Sequence, residues 1–197
     1  MQNKHIIQHN GAVATAQGYT YCMEKLKKIA VQIAGQSQPP VDKWKPDHVG
    51  EIDIRIDEYG NWFHEGEPIL REKLVRLFAS ILWFEKGQHY LVTPAEKLAI
   101  NVADVPYIAH QMEYVDSTWV AVTNTHEQVI ISQQCPVELR EYQGQNVPYI
   151  RVRYDIWARV NRSIYYQWVT EAMAAQLDES SALVLKSDDY EFEVARL

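Results

Sequence analysis

From Glu51 the chain alternates strictly, with Ile52, Ile54 and Ile56 on one side and Asp53, Arg55 and Asp57 on the other. That period of two is the signature of a strand with one face in a core and one in water. Tyr59-Gly60-Asn61 then turns the chain into Trp62-Phe63-His64, with Gly60 available for the positive φ such a turn demands. The period changes after Pro68. Leu74, Leu77, Phe78 and Ile81 fall at i, i+3, i+4 and i+7, predicting an amphipathic helix with a Glu72/Arg76 pair on its exposed side. Trp83-Phe84-Glu85 and Tyr90-Leu91-Val92 flank Lys86-Gly87 as a second hairpin. Thr93-Pro94-Ala95-Glu96 has the form of a capping box, with proline at the first helical position.

Past Thr93 the pattern predicts short strands around Leu98/Ile100/Val102, Ile108/Met112/Tyr114, residues 119–123, residues 129–131 and Ile150/Val152. Asp155 is placed to cap a long helix carrying Trp157, Val160, Ile164 and Trp168, and residues 183–185 and 190–194 predict a terminal hairpin. A proline-isoleucine or proline-tyrosine-isoleucine step, an arginine-bearing helix and a hairpin recur in both halves, a weak internal repeat. Upstream, Met1 to Gly18 is polar and aperiodic. Met23, Leu26, Ala30 and Ile33 share one helical face before Gly35, and Gln36 to Pro46 reads as a stiff linker. The expected organisation is an extension over 1–44, an α+β lobe over 45–95 and a second α+β lobe over 96–197.

Composition narrows the classes. A chain of 197 residues that is 47% hydrophobic is long enough to fold around its own core. Its 19 basic and 26 acidic residues give a net charge of −7, which opposes nonspecific attraction to nucleic acid or to an anionic membrane. The two cysteines, Cys22 and Cys135, form no metal or disulfide spacing, and no apolar run approaches a membrane span or a secretory signal. A soluble cytoplasmic protein is expected. His64-Glu65 lacks the second histidine of a zinc motif, no glycine-rich phosphate loop is present, and no serine lies in a nucleophile elbow. No metal, cofactor or catalytic residue is therefore assigned.

Arg151 and Arg153 alternate with Ile150 and Val152 on the wet face of a strand, and Arg159, Arg162 and Tyr166 form a polar helical face. So many guanidiniums beside tyrosines suit either a solvated surface or an anionic, stackable ligand. Arg71 opens a helix, where the macrodipole disfavours a cation, so an anion should compensate it: Asp53, Glu67 or a ligand. The ordered blocks I-D-x-R-I, G-x-W, G-x-P-I-x-R, L-V-x-L-F and L-V-T-P-x-E-K, followed by P-Y-I-R-V-R, resemble the bacterial domain of unknown function 1285 family. The family has no established activity. The resemblance implies a duplicated α+β fold whose second half is similar to pleckstrin-homology-like domains, with a nucleotide-like ligand at the interface of the halves. The residues expected there are Arg55, Trp62, His64, Arg71, Glu96, Lys97, Arg151, Arg153, Arg162 and Tyr165. The leading expectation is a noncatalytic ligand-sensing module in signalling. A protein-interaction adaptor binding a signalling partner comes second, and an enzyme third.

Overall fold

The computed structural model describes residues 39–175 and 182–196, so the expected N-terminal helix lies outside the described residues. Two six-stranded sheets carry the fold, and they share one strand order. The first comprises β1 (His48–Ile56), β2 (Trp62–His64), β3 (Glu67–Pro68), β4 (Leu82–Glu85), β5 (Gln88–Val92) and β6 (Glu96–Val102), ordered β3-β2-β1-β6-β5-β4. The second comprises β7 (Tyr107–Val115), β8 (Thr118–Thr123), β9 (Gln128–Ile130), β10 (Val137–Tyr142), β11 (Gln145–Arg153) and β12 (Ile156–Val160), ordered β10-β11-β12-β7-β8-β9. In each, two three-stranded meanders meet where the first and sixth strands run parallel, β1 against β6 and β12 against β7. The repeat is thus one of strand order. Its helices are placed differently: α1 (Glu72–Ser80) lies between the third and fourth strands, whereas α2 (Arg162–Ala175) follows the sixth and leads to the hairpin β13 (Ala182–Ser187) and β14 (Tyr190–Arg196).

The alternation at Ile52, Ile54 and Ile56 faces the core as expected, where these residues join Trp62, Phe78, Ile81, Leu91 and Leu98. In the second lobe the fully buried Trp168 lies 6.2 Å from Trp119 and 5.1 Å from Phe192. That contact holds α2 between the sheet and the terminal hairpin. Lys86-Gly87 makes the predicted tight turn with φ of 52° and 80°, matched to the twist of the flanking strands.

Three expectations need correction. Thr93 Oγ1 accepts the amides of Ala95 at 3.3 Å and Glu96 at 3.1 Å, as a capping residue would, but Glu96 opens β6 instead of a helix. The Thr93 amide also donates to the Glu96 carbonyl at 2.8 Å, which closes a tight turn and sends the chain back along β5. Because β6 belongs to the first sheet, that sheet ends at Val102 and not at residue 95. Asp155 caps no helix: it accepts from the Trp157 indole at 2.8 Å, residues 156–160 form the wholly buried strand β12, and Asn161 Oδ1 caps α2 through the Ile164 amide at 2.9 Å. An apolar run of five fits a two-sided buried strand as readily as a helix face, and burial decided for the strand.

The lobes join through buried polar contacts that also tie down loop backbone. Arg153 of β11 pairs with Glu127 and donates to the Ala79 carbonyl at 2.6 Å and to the Tyr107 hydroxyl at 2.7 Å. Tyr107 in turn donates to the same Ala79 carbonyl at 2.8 Å, and burial pushes its phenol well above the usual range. Ala79 lies in the last turn of α1, where carbonyls lack intrahelical partners and the macrodipole favours a cation. On the other side Arg159, 9% exposed, pairs with Asp104, donates to the Glu58 carbonyl and stacks 3.8 Å over the Tyr142 ring. Tyr149 donates to Asp104 at 3.0 Å; burial first, then that carboxylate, pushes its phenol up to about 12. Asn124 completes the seam by donating to the Gly60 carbonyl at 3.0 Å while bridging the backbone of Ile108.

Three sets of substitutions test this account. Gly60 has φ of 80°, and a Cβ there would overlap Asn124 Nδ2. Gly60→Ala should cost about 2–4 kcal/mol in urea unfolding, against about 1 kcal/mol for Gly87→Ala, whose φ is also 80° but whose Cβ meets nothing. Arg153→Met leaves Glu127 without its cation and should cost about 2–4 kcal/mol, with part recovered in Arg153→Met/Glu127→Gln. His89, packed 4.6 Å from Phe84, is lowered by burial to about 4 from the ordinary 6.5. Above pH 6.5 it is neutral in both states, and between about 6.5 and 4 only the unfolded chain takes up the proton, so stability falls with pH across that window. Allowing for partial exposure, the loss is about 2–3 kcal/mol, and His89→Gln should flatten that part of the profile.

Candidate anion site at the seam of the lobes

Among the described residues, three hollows lie along the seam. The largest, about 740 Å³, runs from Ala79 and Ser80 of α1 past β9 to Cys135 and Val152, with the Arg153–Glu127 pair in its wall and Pro39 at its rim. Its charges are already matched, Arg153 by Glu127 and Arg76 by Glu72 at 3.1 Å. Burial pushes the Cys135 thiol up, away from the reactive thiolate. A second hollow of about 310 Å³ lies between the β1–β2 turn, α1 and Asn124 to His126, walled by Tyr59, Trp62, Phe63, Ile69 and Leu70.

The third, about 550 Å³, has a different chemistry. Tyr59 reaches it from the first lobe, and Tyr142, Arg159, Arg162, Tyr165 and Tyr166 line it from the second, with no aspartate or glutamate among the described residues of its wall. Arg159 is neutralised from behind by Asp104. Arg162, the first residue of α2, donates to the Tyr166 hydroxyl at 3.2 and 3.0 Å and has no carboxylate among the described residues. In a chain of net charge −7, a cavity walled by guanidiniums and phenol rings without a carboxylate is an anion-attracting surface. Burial pushes the Tyr142 phenol upward, and its hydroxyl donates to the Glu58 carboxylate at 3.4 Å behind the wall.

The ten residues expected at one interface do not converge. Arg162 and Tyr165 line the tyrosine-arginine hollow, and Arg153 lies in the largest one. Arg151 donates to the Gln134 carbonyl at 3.2 and 3.0 Å beside it. Trp62 is core, 2% exposed and 6.3 Å from Phe78, its indole N–H without an acceptor among the described residues. Arg55 stacks 4.3 Å over Phe63 on the open face of the first sheet. Lys97 pairs with Glu85 and lies 4.2 Å from the Tyr90 ring, while Glu96 opens β6 opposite His48. His64 ends the core-facing strand β2, opposite Ile54. Arg71 is exposed, and neither Asp53 nor Glu67 forms an ion pair with it. None of Arg55, His64, Arg71, Glu96 and Lys97 lines the seam hollows. Arg159, Asp104, Tyr107 and Glu127 hold the seam without having been assigned to it. One signal for Arg159 was present, a single cation inside the apolar run of residues 156–160, which only a buried partner makes tolerable.

Among the described residues no helix is long and apolar enough to cross a membrane. A search of curated proteins returns no match. Among solved structures, the chain is similar to a DUF1285 family protein from Silicibacter pomeroyi DSS-3, at 30% identity over 87% of this chain and 95% of that one, with a TM-score of 0.79. It is also similar to a DUF1285 family protein from Shewanella baltica OS155, at 25% identity over 60% of this chain and 91% of that one, with a TM-score of 0.50. The family model described as the N-terminal domain of DUF1285, a domain of unknown function, matches residues 39–105, and the model of its C-terminal domain matches residues 106–194. The division falls in the connection between the two sheets, and with both halves matched in order this chain belongs to the DUF1285 family.

Proposed function

We propose that this protein is a noncatalytic binding module that holds a small anionic, nucleotide-like molecule in the hollow formed by Tyr59, Tyr142, Arg159, Arg162, Tyr165 and Tyr166. The observation that carries the reading is Arg162, a guanidinium facing this hollow with a phenol as its partner and no counter-charge among the described residues of the wall. A phosphate or carboxylate supplies that counter-charge, and tyrosine rings offer faces to a planar group. The volume of about 550 Å³ suits a molecule of nucleotide size. Binding is favoured over catalysis because the described residues of the wall include no histidine, cysteine, aspartate or glutamate to exchange a proton near neutral pH.

The finer readings from the sequence are kept as part of this proposal: a signalling role in the cytoplasm, and a pleckstrin-like second lobe in which a sheet leads into a helix. An adaptor role has one observation in its favour, the apolar 310 Å³ groove where Leu70 is 83% and Tyr59 70% exposed.

Calorimetry against nucleoside mono- and diphosphates, cyclic nucleotides and inorganic phosphate tests the main reading. Binding that weakens about 10- to 100-fold in Arg162→Ala, with Arg55→Ala unchanged, is expected for a charge-assisted contact. Absence of heat for every ligand at millimolar concentration, or equal affinity in Arg162→Ala, would remove it.

A further inference from the structure

The groove of about 310 Å³ carries at its lip the most exposed large apolar side chain among the described residues, Leu70, with Tyr59 beside it. Pro68 is exposed there too, and Phe63, Ile69 and Val75 are half-buried behind them. Contiguous apolar side chains left in water mark a contact surface.

The segment that forms this lip, Glu67-Pro68-Ile69-Leu70-Arg71, is self-complementary. Glu67 and Pro68 are β3, the edge strand of the first sheet, and the Ile69 amide donates to the Trp62 carbonyl at 2.8 Å, which pins the middle of the segment to β2. Arg71 still has extended backbone, with φ of −81° and ψ of 98°. When two copies meet antiparallel about a two-fold axis at Ile69, Glu67 of each faces Arg71 of the other, and Pro68 faces Leu70. Both charges are available for such a contact. Neither Glu67 nor Arg71 forms an ion pair among the described residues. Arg71 also caps the start of α1, where the macrodipole disfavours a cation, so a carboxylate arriving from a second copy offsets that repulsion while it makes the pair. Pro68 has no amide donor, so this edge does not template a growing sheet, and a two-fold contact closes after two copies.

We propose that two copies of this chain associate through residues 67–71, with Leu70 of each resting against the apolar groove of the other and Glu67 paired reciprocally with Arg71. The surface is small, so the dimer is weak and depends on concentration. Arg162 and its hollow take no part in it.

Sedimentation velocity of the full-length protein over about 5–500 μM tests the contact. The unmodified chain should pass from monomer to dimer within that range, and Leu70→Asp should weaken association at least about tenfold. Glu67→Arg and Arg71→Glu each turn both reciprocal pairs into like-charge contacts and should leave monomer. An equimolar mixture of those two variants recreates both pairs and should form a heterodimer, a rescue diagnostic of a two-fold contact between positions 67 and 71. An unmodified chain that stays monomeric throughout, single variants that dimerise as it does, or a mixture that fails to associate would each overturn the proposal.

Discussion

The guanidinium of Arg153 is the contact on which the arrangement of the two lobes depends. It brings together the end of a helix in one lobe, a strand phenol of the other, and a carboxylate from the turn between β8 and β9. Each of those acceptors would be costly to bury without a donor, and the Ala79 carbonyl has none within its own helix. Because the donor's five N–H groups are fixed in a plane, the acceptors must be in place together. Arg159 repeats the logic at the opposite flank with Asp104 and the Glu58 carbonyl. Between these two cations the apolar residues of both lobes merge into one core.

That seam shapes the functional reading. Cations that hold lobes together have their charge balanced and are poorly placed to recruit a ligand, which separates Arg153 and Arg159 from Arg162. The distinction is one of partners and not of residue type. It also explains why hollow volume alone is a poor guide, since the largest of the three has the most fully matched charges.

Local order was readable where one period dominated. Ile52, Ile54 and Ile56 announced a strand, Leu74 to Ile81 a helix, and Lys86-Gly87 a turn, because each signal is short-range and one face of each element meets the core. Residues 156–160 were not, since a strand buried on both faces loses its alternation and imitates a helix. Thr93 illustrates a different limit: its hydroxyl makes the same amide contacts in a turn as at a helix start, so the motif fixes the hydrogen bonds and leaves the continuation open. The candidate site was legible only in part. Arg162 and Tyr165 come from one helix and line one hollow, whereas Tyr59 and Tyr142 join them through the docking of distant segments. A list of exposed cations such as Arg55, Arg71 and Lys97 carries no information on which of them share a cavity.

The parallel contact between first and last strands has a topological corollary. A lobe that starts and finishes on parallel neighbours receives its backbone at one pole and releases it at the other, some nine residues or about 30 Å away along β1. Its termini are therefore far apart, unlike those of most small domains. Joining them to make a circularly permuted lobe would require a linker as long as the sheet itself, whereas concatenating lobes end to end needs only a few residues, such as the short stretch that separates β6 from β7. The architecture lends itself to growth by tandem addition and resists rearrangement within a lobe.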